Sequence, residues 1–434
     1  MISDQQSEKL PYIVGRSKNN GRIVLHADLN NFFASVECAN SPDKSLFSKP
    51  VAVCGSAELR HGIVLAKNEK AKFYGIKTGE SIPDALKKCP RLIILPAHYD
   101  LYMRYSRAAR EIYLRYTDLV EPFGMDEAWI ELSDCRDVKT IADGARIADE
   151  IRASIKKELG ITASVGVSDN KVFAKLGSDY KKPDATTVFS PAEYESIISK
   201  LPVSDILYAG RATCQRLRSY GITTVGQVAR KDAYFMKAIL GKNGLTLRSF
   251  CRGEDNSPVA LFGTAPEAKS MGNSTTPPKD IESFLEAKLI LSSLCDNVST
   301  RLRADRVKCR GIKIHFRTTD LQTFERQMPL GYMTSSARDL LACACVLFAR
   351  SVDVSKTPLR SVGISAIDLA PADGFCQMSL FPDSSGKKDV IDSTIDGIRK
   401  RFGFSKISTN ALGLCDKDEL GKIERGYEVF THAR

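Results

Sequence analysis

No apolar run in this 434-residue chain approaches the roughly 20 residues that cross a bilayer. The first 20 residues, Met1 to Asn20, are polar and lack the apolar centre of a signal peptide. Both absences weigh against secretion and membrane insertion and set the expectation of a cytoplasmic protein. The 12 cysteines include no Cys-x-x-Cys pair, and only Cys343 and Cys345 stand close together. That scatter speaks against a zinc site or a disulfide framework and for free thiols. Internal repeats and low-complexity tracts are absent as well. What remains is 43% hydrophobic and 26% charged, the composition of a folded globular chain, with a length that suggests about three domains.

Any acidic excess is also missing. The chain has 63 Lys and Arg against 52 Asp and Glu, a net +11. Residues 21–199 are balanced, with 25 basic and 25 acidic side chains. Residues 200–262 carry 10 basic against 4 acidic, and residues 263–370 carry 15 against 11. The positive charge is therefore confined to one central stretch, as expected where a polyanion is held.

Periodicity outlines the organisation. Ile23–Ala27 is an apolar run ending at Asp28, which predicts a buried strand, and Asn30–Ala39 has helical spacing. Strands are predicted at 50–55 and 62–66, short helices at 67–74 and 82–88, and a longer Arg- and Tyr-rich helix at 100–116. Leu119–Phe123 and Ala128–Leu132, separated by Gly124-Met125-Asp126-Glu127, predict a hairpin with two carboxylates at its tip. A helix at 141–159, a strand at 161–167 and a helix at 171–179 complete an α+β or α/β first region. Short helices follow over 201–240, then a Gly/Pro-rich linker candidate near 253–266. Helices at 283–303 and 335–350 alternate with strands at 311–318 and 360–369, describing a small separate α/β domain. In the tail, Val390, Ile391, Ile395, Ile398 and Phe402 fall on one helical side.

Asp28, Asp126 and Glu127 are the candidate chemistry. Carboxylates are costly to bury unpaired, so three brought together would require cations. Oxygen-only ligation suits Mg²⁺, which takes one or two protein carboxylates, waters and substrate phosphates. Two such ions about 4 Å apart can activate a hydroxyl and stabilise a leaving pyrophosphate.

The run Asp28-Leu29-Asn30-Asn31-Phe32-Phe33-Ala34-Ser35-Val36-Glu37 resembles the first signature of the Y-family DNA polymerases, the DinB/UmuC translesion enzymes. Lys49–Val53, Ala66–Lys72, Tyr74–Gly79, Met125–Ala128, Ser164–Lys171, Ala174–Leu176 and Lys182-Pro183 follow in the family's order. The resemblance spans Ile23 to Leu369 and implies an α+β multidomain right hand. Its parts would be a palm (21–31 and 98–190), fingers (32–97), a helix-hairpin-helix thumb (191–252), a linker (253–264), a little finger (265–370) and a C-terminal tail (371–434).

The resemblance assigns roles position by position. Asp28, Asp126 and Glu127, with the Leu29 carbonyl assisting, would hold two Mg²⁺ ions. Phe33 would be the steric gate against a ribose 2′-hydroxyl. Lys72 and Lys182 would contact the triphosphate of the incoming dNTP. Gly210, Arg317, Arg326 and Arg360, with Lys313, would hold primer–template DNA through its phosphates. Three departures stand out: Glu69 replaces the Tyr usual in DinB-type enzymes, Gly124 replaces a Ser, and Tyr208-Ala209-Gly210 replaces Gly-x-Gly. Asn30 leaves the DinB or UmuC branch open.

Gln377-Met378-Ser379-Leu380-Phe381 closely resembles the peptide that binds the bacterial sliding clamp. The implied protein is a monomeric, template-directed polymerase of low fidelity that tethers itself to the clamp and serves DNA repair. The alternative is a non-catalytic scaffold recruiting another polymerase, against which the presence of all three acids argues. A nucleotide cyclase would need neither the basic stretch nor the clamp-like peptide.

Overall fold

Val24–Leu29 forms β1, buried at every position, as a strand must be when it is flanked on both sides and covered on both faces. The computed structural model describes residues 21–56, 62–264, 267–372 and 385–403, the side chains of 385–389 excepted. After β1 come α1 (Phe32–Asn40), β2 (Val51–Cys54), β3 (Val64–Lys67), α2 (Glu69–Phe73), α3 (Ile82–Lys88) and β4 (Ile93–Pro96). Then follow α4 (Tyr99–Tyr113), β5 (Val120–Phe123), β6 (Glu127–Glu131), α5 (Ile141–Leu159), β7 (Ala163–Ser168), α6 (Lys171–Tyr180) and β8 (Thr186–Phe189).

One sheet has the order β5-β6-β1-β7-β8 and a smaller one β3-β2-β4. In the large sheet only β7 and β8 run parallel. Its core joins Leu25, Ala27, Ile130 and Val165 to Ile147 and Ile151 of α5. α5 starts at a capping box, Thr140 with Asp143, and stops at Gly160 with φ 68°, the left-handed end that glycine tolerates. Gly166 of β7 has a different reason. A Cβ there would meet the Ala174 carbonyl oxygen at 1.8 Å and the Ser178 nitrogen at 2.4 Å, so α6 lies directly against the strand. That contact carries Lys175, Ser178 and Asp179 toward β1.

Most predicted elements are present with their ends displaced by one to three residues. Lys67 belongs to β3 instead of a helix, because Asn68 caps α2 by accepting from Ala71 N. Glu127 is the first residue of β6, so the turn ends at Asp126. β4 and β8 carry no sequence signal, being four-residue strands with no alternation long enough to read.

The first unit continues with α7 (Arg211–Arg218), α8 (Val225–Arg230), α9 (Ala233–Leu240) and α10 (Lys242–Cys251) and closes at Thr264. Leu217, Val225, Val228, Met236 and Leu247 form its core with Phe173 and Phe189. The candidate linker is bound along β5 and β6. Ala260 N donates to Glu121, Phe262 N to the Asp118 carbonyl, and Arg22 to the Asp255 and Ser257 carbonyls.

The second unit opens at Ala265. It contains β9 (Ser270–Thr275), α11 (Phe284–Ala304), β10 (Val307–Thr318), β11 (Thr323–Thr334), α12 (Ala337–Ser351), β12 (Leu359–Pro371) and α13 (Ser385–Phe402). The antiparallel sheet runs β11-β10-β12-β9. Ile312, Ile314 and Phe316 share a core with Leu291, Leu294 and Val298 of α11 and with Leu340 and Phe348 of α12. The predicted apolar side of α13 is only partly what it buries: Ile395 and Ile398 are half-buried but Val390, Ile391 and Phe402 are exposed, while Asp392 and Arg399 are buried. Arg399 pairs with the buried Asp296 at 3.0 Å, and Arg303 grips Asp396 with Nε at 2.5 Å and Nη2 at 2.8 Å. Charge docks this helix where the periodicity suggested an apolar face. Among the described residues, no helix is long and apolar enough to cross a membrane.

Candidate active site

β1 and β6 pair with Asp28 opposite Glu127, so the two side chains emerge on the same face of the sheet. Asp126 sits in the turn before β6, and its carbonyl accepts the Leu29 N–H at 3.0 Å. The structure thus brings together the three acids and Leu29. Around them it places Lys182, already a candidate, and residues that sequence reasoning gave no role. Lys175 pairs with Glu127 through a short contact, and His26 Nε2 lies 3.1 Å from the same carboxylate oxygen. His26 Nδ1 is 2.8 Å from the Ser178 hydroxyl. Lys182 Nζ is 2.6 Å from Asp28 Oδ2 and 2.7 Å from Asp179 Oδ1.

These environments drive the acids apart. Burial, with Glu127 and Asp126 adding repulsion, pushes the Asp28 carboxyl up to about 7 despite the opposing pull of Lys182. Burial and Glu127 also raise Asp126. Burial acts upward on Glu127 too, but hydrogen bonds from His26 and Lys175 overcome it and hold the carboxyl down to about 2. Burial keeps His26 below its ordinary value, so the ring is neutral at pH 7.

Among the described residues no three acidic, His or Cys side chains form a ready-made cation cage; the carboxylates face lysine ammonium groups instead. The donor chemistry still fits a hard divalent cation, since every candidate ligand is oxygen. Two further observations agree. Asp28 is held near neutrality, a charge the chain leaves incompletely compensated. The wholly buried Tyr113 hydroxyl lacks a hydrogen-bond partner among the described residues, and burial, with Asp28 and Asp126 adding to it, pushes its pKa upward.

Phe33, on α1, stacks on Tyr102 of α4 with ring centroids 4.1 Å apart and planes 10° from parallel, and meets Tyr99 edge-on at 5.8 Å. Tyr102 is fixed by its hydroxyl, which donates to Glu37 at 2.5 Å. The Arg- and Tyr-rich character of α4 was the only trace of this bracing in the sequence.

Of the two candidate triphosphate lysines, only Lys182 reaches the acids. Lys72 lies 3.6 Å from Glu69, which also accepts from Asn31 Nδ2 at 3.1 Å. Gly210 is the exposed N-cap of α7. In the second unit Lys313 and Arg317 project from the face of β10 opposite Ile314. Arg326 pairs with Ile314 and so lies on the other face. Arg360 adjoins the irregularity where β12 meets the end of β10. The basic candidates therefore do not share one surface. Gln377, Met378, Ser379, Leu380 and Phe381 lie outside the described residues.

Comparison with known proteins decides the family. Residues 27–179 match the impB/mucB/samB family and residues 268–380 match that family's C-terminal domain. DNA polymerase IV of Acetivibrio thermocellus is 44% identical over 90% of this chain and 97% of its own length. DNA polymerase IV 1 of Bacillus subtilis is 34% identical over 90% and 93%. The chain belongs to the Y-family DNA polymerases, in the DinB-type branch. A solved Y-family chimera, Dbh-Dpo4(243-245)-Dbh, shares the fold with a TM-score of 0.71 at 22% identity, over 80% of this chain and 99% of that one. This Y-family member is accordingly a DNA-directed DNA polymerase of the translesion type, with DNA and dNTPs as substrates and a dependence on divalent metal ions. The branch that Asn30 left open is settled by the DNA polymerase IV relatives.

Proposed function

We propose that Asp28, Asp126 and Glu127, assisted by the Leu29 carbonyl, hold two Mg²⁺ ions for attack of a primer 3′-hydroxyl on the α-phosphate of a dNTP. The observation that carries this reading is Asp28 set opposite Glu127 across β1 and β6, each already facing an ammonium group. Bound there, divalent cations would supply charge neutralisation and lower the pKa of the attacking hydroxyl.

The chain's own residues do the rest. Lys182, a point charge on a half-buried stem, meets the triphosphate, joined by Lys72 from α2. Phe33, braced by Tyr102, closes the space a 2′-hydroxyl would need. His26 and Lys175 keep Glu127 ionised. Residues 21–31 and 98–190 act as palm, 32–97 as fingers, 191–252 as thumb, 253–264 as linker and 265–370 as little finger. Gly210, Arg317 and Arg360 meet DNA phosphates, with Arg326, on the opposite face of its sheet from Arg317, a more distant contact, and Gln377–Phe381 in the 371–434 tail binds the sliding clamp, raising local concentration at the primer end. One chain supplies every one of these residues, so a monomer suffices.

Primer extension tests the reading. Wild type is compared with an Asp126→Asn, Glu127→Gln double variant, in Mg²⁺ with single dNTPs. Templated addition that the double variant abolishes supports it. Extension that survives the double change overturns the metal site.

A further inference from the structure

An alternating chain of charges runs beneath the acids. Glu127 meets Lys175; Lys175 lies 3.9 Å from Asp179; Asp179 lies 2.7 Å from Lys182; Lys182 lies 2.6 Å from Asp28. Lys175 and Asp179 stand one turn apart on α6, and Lys182 follows three residues later, so a single helix end sets the spacing. Asp179 is the central member and faces both lysines. Its side chain is 45% exposed, against 9% for Asp28.

We infer that Asp179 is a positioning residue for the polymerase reaction: it retains Lys182 when a cation claims Asp28, and it keeps that ammonium where the triphosphate arrives. The inference rests on the proposed metal role of Asp28. A divalent ion reaching Asp28 would compete with Lys182 for the same carboxylate. Displacing an ammonium is costly when the side chain is half buried and has nowhere else to bond. Lys182 is spared that cost, because Nζ already touches Asp179 Oδ1 and need only give up one of two partners. Without Asp179 the lysine has Asp28 alone, holds it more firmly, and loses its anchor once displaced.

Mn²⁺ binding, read by electron paramagnetic resonance on the full chain, tests this without relying on turnover. Asp179→Asn should weaken Mn²⁺ binding at least threefold. At saturating Mn²⁺ it should raise KM for dNTP at least threefold and change kcat less than twofold. Asp179→Glu should recover most of both. The deciding variant is Lys182→Met: in that background Asp179→Asn should leave Mn²⁺ affinity unchanged, because there is no ammonium left to retain. An equal loss in both backgrounds would reduce Asp179 to a distant negative charge and overturn the inference. So would Asp179→Asn binding Mn²⁺ and dNTP as wild type does. Asp28→Asn is the separate control: Mn²⁺ binding that survives it overturns the metal reading itself, whatever Asp179 does.

Discussion

Phe33 lies flat against Tyr102, and Tyr102 in turn is tied to Glu37, so the wall of the proposed sugar pocket is fixed from behind by a hydrogen bond. A gate built this way discriminates by rigidity as well as by size. Phe33→Leu should raise ribonucleotide incorporation relative to dNTP by about ten- to a hundredfold, the ~1–3 kcal/mol that a pocket's steric choice commands. Tyr102→Leu should relax the same ratio by a smaller factor, without touching the nucleotide. Single-nucleotide kcat/KM values for paired rNTP and dNTP check both. Unchanged ratios in both variants would remove Phe33 from the gate.

Chelation should silence the enzyme without unfolding it. Asp28 and Glu127 each already have an ammonium partner on α6 or just beyond it, and Asp28 can take up a proton near pH 7, so neither depends on the ion to stay buried. Structural metal sites behave differently, because there the folding free energy comes from the ion. EDTA should abolish extension while moving Tm by less than about 1 °C, under the ~2–4 °C per kcal/mol typical of a unit of this size. A large drop in Tm would show that the acids depend on the ion for folding.

The acids also give the metal-free protein opposite pH responses. Asp28 titrates near 7 in the fold against an ordinary 3.8, so the folded state binds the extra proton between those values. Its contribution to stability is therefore complete below about pH 4 and is lost as pH rises through 7. Asp28→Asn removes that loss, so in EDTA its stability relative to wild type should rise between pH 5 and 8. Glu127, held near 2 against 4.5, contributes stability that is present above 4.5 and lost as pH falls toward 2. Denaturant midpoints of the two single variants across pH 3–8 should show these opposite slopes.

The two faces of the second unit's sheet should differ in DNA binding. Arg317 shares the face of Lys313, whereas Arg326 lies on the face of Ile314. A residue meeting a phosphate contributes about 0.9 to the slope of log affinity against log salt. Arg317→Ala should lower that slope by about one; Arg326→Ala should change it less. Binding to a labelled primer–template over a salt series measures both, and the reverse ordering would place the DNA on the helix side of the sheet.

Much of this was legible in the sequence, for definite reasons. β1 announced itself as an apolar run closed by Asp28, and the hairpin by two apolar runs around a Gly-containing turn; together they delivered the acids. α5 was legible to the residue, because a capping box and a glycine mark its ends. β11 was not. Its exposed residues outnumber its buried ones along an edge, so period-two alternation is lost. His26 reads as one more residue of a buried strand until α6 is laid against it. The spacing of Lys175, Asp179 and Lys182 was visible, but only the close approach at Gly166 turns that spacing toward β1. Asp392 and Arg399 were hidden by a more obvious apolar stripe on the same helix.

α13 redraws the line along which this protein can be cut. Asp296 is 2% exposed and Arg399 answers it from beyond the last strand, while Asp396 answers Arg303 in the same way. A shortened chain ending at Ala372 would keep every strand of the second unit yet take away the partners that α13 supplies to Asp296 and Arg303 and uncover the face on which that helix docks. One ending at Gly403 keeps both pairs. Fusions and deletions should therefore be made after residue 403, although the last strand ends at Pro371.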